Sequence, residues 1–253
     1  MKYLLKQSLL GAAALLCAGA AGADVIDFEG VDTSNALFAP LLAGGDYLIQ
    51  GKYFVQVIDP NNPDGGSLAG ALMSGLDSSS CLDNGCPTGN ATNFIGSVND
   101  GVIHFGQLSG AVSTLSSFDA AFLAPANSGL PSSTVAYLAI EADRSDGTYA
   151  TGVFALNGPA AAGGQTAFAS FKASDAEIIG GSGTLTSGPV TDLYAYAYYC
   201  DTSSCSAFTS NKGQFALDNI AINVSAVPEP AEWLLMALGL SAVATAARRR
   251  RAA

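Results

Sequence analysis

A lone histidine, a close pair of carboxylates, three alternating tyrosines and two matched cysteine pairs are the side chains of this sequence best equipped for chemistry. His104 is the only imidazole that a Ser-His-Asp arrangement could use, and it sits in GVIHFG among apolar neighbours. On a strand, the expected use of such a histidine is structural, its ring satisfied by the sheet edge or the core. Two carboxylates suffice for glycoside hydrolysis, and the chain is rich in acidic residues. Tyr194, Tyr196 and Tyr198 alternate with Ala195 and Ala197, so the three rings share one strand face. There they could stack on sugar rings or lie half-buried as ordinary sheet residues. Cys81 and Cys86 in CLDNGC have the same spacing as Cys200 and Cys205 in CDTSSC. An even count in an exported chain reads as disulfides, with two local loops the simplest pairing and crossed pairings left open. A four-thiolate zinc site would want C-x2-C knuckles and a reducing compartment. No Gly-rich loop follows a strand and opens a helix, so nucleotide binding has no support.

Export is read from the two ends. Residues 1–23, MKYLLKQSLLGAAALLCAGAAGA, run from lysines through an apolar stretch to small residues, which is the order of a secretory signal peptide cleaved after Ala23. Leu16 precedes Cys17 where a lipid-attachment site wants a small residue, so lipidation is not expected. Near the other end, 15 apolar residues from Trp233 to Ala247 precede Arg248, Arg249, Arg250 and Arg251. As a helix this run covers roughly 22 Å, against about 30 Å of bilayer hydrocarbon. It can span if Trp233 sits at one interface and the arginines snorkel at the other, with the arginines cytoplasmic and the body outside. A transient hold in the inner membrane is the expected result.

Between these ends lies one domain, 24–226, long enough for a real core. Its bases are Lys52, Arg144, Lys172 and Lys212, against 19 acidic residues, a net of −15. Nucleic acid and anionic lipid are poor partners for that surface, whereas divalent cations and neutral glycans are compatible with it. Solubility alone would also account for the charge.

The body shows no sustained helical periodicity. Short β-rich runs at 24–28, 46–58, 101–108, 112–124, 134–142, 148–156, 166–173, 191–200 and 213–224 alternate with turn residues. This predicts an all-β fold, an antiparallel sandwich or jelly roll, with the clearest hairpin turning at Asp146-Gly147.

Three resemblances add to this reading. Val227, Pro228, Glu229 and Pro230, then the apolar run and the arginine cluster, resemble the PEP-CTERM sorting signal of Gram-negative bacteria over the last 27 residues. That resemblance implies processing by signal peptidase and an exosortase, transient anchoring in the inner membrane, and a final place that is secreted, on the cell surface or in an extracellular matrix, often with exopolysaccharide and biofilm. Gln214-Phe215-Ala216-Leu217-Asp218 is similar to a QFxxD subgroup of such proteins. DVIDFEG (24–30) and GQFALDNIAINV (213–224) resemble the first and last strands of carbohydrate-binding-module-type jelly rolls. This second resemblance implies that those strands lie side by side, gathering Asp27, Glu29 and Asp218, and that a structural calcium there is led by Glu29 and Asp218. Third, Glu141-Ala142-Asp143 resembles part of the catalytic strand of some sandwich-fold glucanases, but the chain turns at 144–147 where their pattern continues to a further Glu, and the body has no Trp. The expectation is a non-enzymatic protein with a structural or adhesive role. A glycan-binding module is the alternative, with a sandwich-fold glycoside hydrolase behind it.

Overall fold

The computed structural model describes residues 23–224, apart from 63–64, 83–84, 125–128, 162–163 and 202–203, together with Gly239. Most of the expected signal peptide, the motif from Val227 through Pro230, the apolar run to Ala247 (Gly239 apart) and the cluster from Arg248 to Arg251 lie outside the described residues. Among the described residues no helix is long and apolar enough to cross a membrane.

Residues Gly22–Val224 form one compact unit, and its regular elements are strands apart from two single 3-10 turns. In order they are β1 (Ala23–Ile26), β2 (Leu41–Ala43), β3 (Tyr47–Gln50), β4 (Tyr53–Ile58), β5 (Leu68–Ser74), β6 (Asn93–Ser97), β7 (Val102–Gln107) and β8 (Ser113–Phe122). There follow β9 (Thr134–Arg144), β10 (Tyr149–Asn157), β11 (Ala169–Lys172), β12 (Glu177–Gly181), β13 (Val190–Cys200), β14 (Cys205–Ser206) and β15 (Phe215–Val224). All pairings between these strands are antiparallel.

Hydrogen bonding arranges them as two layers. The front sheet runs β12-β10-β9-β13-β7-β4-β3. The back sheet runs β11-β8-β15-β6-β5-β2, and β1 pairs the second half of β15 beyond β6. The layers are stitched where Val190 of β13 bridges Ser113 of β8. Strict alternation drives the packing. In β4 the residues Tyr53, Val55 and Val57 are buried while Phe54, Gln56 and Ile58 are not. One core cluster draws Val55, Ile103, Leu138, Ile140 and Leu193 from the front with Leu115, Phe122, Phe215 and Ile222 from the back. Phe118 meets Phe154 across it, edge to face at 4.9 Å. This is an antiparallel β-sandwich, with inner faces joined as hydrophobic burial demands.

A second, smaller core lies on the outside of the back sheet. Met73, Phe94, Ala121, Leu123 and Ala216 pack there against the Cys81–Cys86 disulfide. Both disulfides are local, Cys81–Cys86 and Cys200–Cys205, which settles the pairing that spacing alone left open. Two such bridges fit an oxidising, extracytoplasmic compartment.

Strand boundaries depart from expectation in instructive ways. The run 46–58 is two strands, β3 and β4, folded on each other at Gly51-Lys52. The strands β5 (LAGALMS), β6 (NFIGS) and β12 (EIIGG) are rich in Ala, Gly and Ser, a weak local signal that pairing overrides. The expected hairpin is present between β9 and β10, with Gly147 at φ 80°, where a side chain would be strained.

Candidate functional site

Because Leu193, Ala195 and Ala197 face the core, Tyr194, Tyr196 and Tyr198 face outward from the front sheet, half-buried. Register then decides their neighbours. Gln56 on β4 lies opposite His104 on β7, His104 opposite Tyr194 on β13, Tyr194 opposite Glu141 on β9, and Glu141 opposite Thr151 on β10. One row of side chains thus crosses five strands. In the adjoining row Asp192 lies opposite Asp143, and Asp143 opposite Tyr149. On the other side Tyr198 lies opposite Tyr137.

The contacts build this face from two ring clusters on one sheet surface. The His104 and Tyr194 rings are stacked, with centroids 4.4 Å apart and planes 12° apart. Phe54 meets His104 edge-on at 4.9 Å. It can do so because its neighbour Gly106 has no side chain; a Cβ there would come within 3.1 Å of the Phe54 ring. Tyr196 touches Tyr198 at 5.7 Å and Phe208 at 5.2 Å. Such offset and edge contacts are the favoured aromatic geometries.

Polar groups are interleaved. His104 Nε2 lies 2.9 Å from Asp192 Oδ1, and Thr151 Oγ1 donates to Glu141 Oε2 at 3.0 Å. Burial, and next the facing charge of Asp192, push the Asp143 carboxyl above its ordinary range, against the opposing pull of His104. The Tyr194 hydroxyl is held above its usual value by burial, then by Asp192, Asp143 and Glu141 in that order. Burial also raises the Tyr196 hydroxyl, helped by its hydrogen bond with Tyr198. The Tyr194 and Tyr196 phenols therefore stay protonated, and so remain donors, across neutral pH.

His104 is therefore satisfied, though by Asp192 on an outer face rather than by the core or a sheet edge. Glu141 and Asp143 share the tyrosine face. The clefts of about 360 and 420 Å³ lie elsewhere, the first beside Asp24 and Tyr53 and the second beside Phe122 and Phe168.

Asp100 sets the rim of the platform. It is 2% exposed and accepts from the backbone N–H groups of Ser210, Asn211 and Gly213, pinning the loop that carries Phe208. The Cys200–Cys205 bridge closes the start of the same loop. Sequence gave no hint of Asp100. Asp192 was within reach of it, standing two residues before Tyr194 and hence on the same face.

The first and last strands do lie side by side, Asp24 opposite Ile222 and Ile26 opposite Ile220. Their carboxylates are taken up by protein donors. Glu29 accepts from the backbone and side-chain nitrogens of Asn93 at 2.7 and 3.2 Å. Asp218, fully buried, accepts from Asn90 at 2.6 Å and Thr92 at 3.0 Å. Asp27 turns to Gln50 and to the N–H of Glu29. Glu29 and Asp218 thus converge on the 90–93 segment, while Asp27 does not join them. Among the described residues no group of three His, Cys, Asp or Glu side chains is placed to hold a metal.

No family model and no curated protein sequence matches the chain. Among solved structures it is similar to an agarase, AgWH50C, at 8% identity and a TM-score of 0.31, covering 70% of this chain and 26% of that one. It is also similar to the enzymatically active domain of bacteriophage CBA120 tailspike protein 4, at 11% identity and a TM-score of 0.29, covering 69% of this chain and 20% of that one. The chain therefore spans about a quarter or less of these structures.

Proposed function

We propose that this chain is an exported, exosortase-processed surface or matrix protein with a structural or adhesive role in exopolysaccharide, and that its adhesive element is the outer face of the front sheet. The PEP-CTERM-like tail and signal-peptide-like start support the route, and the two disulfides are consistent with it. The observation that carries the adhesive reading is the aromatic row, in which Tyr194, Tyr196 and Tyr198 stand side by side on a sheet surface rather than inside a cleft. Sugar rings present apolar faces that stack on such side chains, and a row along one strand suits an extended polymer. The jelly-roll likeness of the first and last strands fits the same role.

The test is retention of the mature protein on purified matrix polysaccharide, with Tyr196→Ala and Tyr198→Ala expected to abolish it. Equal retention of these variants would reject the face. Intact chain with free thiols in the cytoplasm would reject the export route. The arrangement of Glu141 and Asp143 on the same face favours a second reading, glycoside hydrolysis. Release of reducing sugar that is lost in Glu141→Gln would establish it in place of simple adhesion.

A further inference from the structure

The tyrosine platform is flanked on one side by charge of a single sign. Glu141 is in the Tyr194 row, and Asp143 and Asp192 face each other in the next. Like charges directly opposite on neighbouring strands are unfavourable, and among the described residues one imidazole at 14% exposure is the only nitrogen base placed against them. The body's four other bases lie elsewhere. Lys52 pairs with Asp24, and Lys212 lies over the Tyr199 ring. Arg144 is bound by the carbonyls of Ser182, Thr184 and Ser187, and Lys172 is on β11 of the back sheet. The platform thus joins aromatic faces to an edge where three carboxylates face a single imidazole and no Lys or Arg of the body.

From this charge complementarity, resting on the adhesive reading above, we infer that the platform's ligand is a polysaccharide bearing primary amines, a cationic amino-sugar polymer. Its rings stack on Tyr194, Tyr196 and Tyr198, and its ammonium groups sit against Glu141, Asp143 and Asp192. An ammonium near a tyrosine face also gains from the ring quadrupole. A neutral chain of the same length keeps the stacking and offers these carboxylates no cation.

The test uses the full-length chain in detergent and four probes at about pH 6, where ordinary amines are charged and ordinary carboxylates ionised. These are a glucosamine hexamer, its N-acetylated counterpart, a glucose hexamer and hexalysine. The glucosamine hexamer should bind about tenfold more tightly than either neutral hexamer and than hexalysine. Glu141→Gln with Asp143→Asn should remove that advantage while leaving neutral binding in place. Asp32→Asn with Asp77→Asn, exposed and distant in the chain, should leave everything unchanged. Unchanged thermal midpoints show that each variant is folded. Equal binding of all three sugar hexamers overturns the amine specificity and leaves the adhesive platform standing. Binding of hexalysine as tight as the glucosamine hexamer, or equal loss in the Asp32/Asp77 variant, overturns the site in favour of diffuse polycation attraction. Absence of binding to every glycan removes the adhesive reading and this inference together.

Discussion

Tyr194 lies flat against His104, ring centroids 4.4 Å apart, with the imidazole's far nitrogen 2.9 Å from Asp192 two residues before the tyrosine. The contact joins β7 to β13 on the outer face and holds the Tyr194 ring in the platform plane. Removing the imidazole as His104→Ala should cost about 1–3 kcal/mol, from lost stacking and an acceptor left unpaired. His104→Phe keeps the stack and should recover a large part of that loss. Urea unfolding of the two variants checks this, and equal stability of both would mean that the stack contributes nothing.

The disulfides should differ in worth despite their identical sequence separation of 5. Loop closure alone assigns each about 2 kcal/mol. Cys81 and Cys86 are also buried among Met73, Phe94 and Leu123, whereas Cys205 is exposed. Paired Cys→Ala replacement at 81/86 should therefore lower the thermal midpoint further than the same change at 200/205. The reverse order would show that the second core is dispensable.

Asp100 answers three backbone N–H groups from one buried carboxylate. Asp100→Ala leaves those donors without their acceptor and should destabilise by roughly 2–4 kcal/mol. It should also loosen the loop carrying Phe208, which amide exchange at 208–213 would register. Unaltered exchange there would contradict the pinning role.

Asp218 should give stability a pH dependence of unusual sign for a carboxylate. Burial, above all, raises its folded pKa, partly opposed by donors from Asn90, Asn219 and Thr92, and Asp119 adds repulsion. The native state then holds this proton more tightly than the unfolded chain does. That stabilisation is complete below the unfolded carboxylate range of about 4 and is lost as pH rises through the folded value. In Asp218→Asn nothing titrates at the position. The stability difference, wild type minus variant, should fall with rising pH on the acid side of neutrality. A flat difference would rule the coupling out.

Calcium distinguishes two uses of Glu29 and Asp218. Both carboxylates already accept from the 90–93 segment, latching it to the turn after β1 and to β15. To take up calcium they would have to surrender those donors. With the latch intact, millimolar calcium should leave the thermal midpoint within about a degree. A rise of several degrees that vanishes in Glu29→Gln would show that the ion displaces the latch.

Much of the fold was legible because alternation is a local signal. DLYAYAYY places its tyrosines on one face whatever lies beside it, and YFVQVI does the same for Gln56. Where side chains were small, as in LAGALMS and NFIGS, the signal faded and pairing with β15 and its neighbours decided the strand. The 46–58 run reads as one strand because its turn at Gly51-Lys52 is only two residues long and is flanked closely by β-rich residues on both sides.

By itself, then, the sequence determined the all-β class, the shared face of the three tyrosines and the spacing that makes two local disulfide loops natural. Only the tertiary structure decided that Tyr194 would stand between His104 and Glu141, that Asp192 would confront Asp143, and that Glu29, in the turn after β1, and Asp218, on β15, would meet the same 90–93 segment. The reason is that facing follows from a repeat of two along a single strand, whereas neighbourhood depends on which backbone ladders close. Those ladders join segments far apart in the chain, at an entropic cost that grows only slowly with separation and so leaves little local trace.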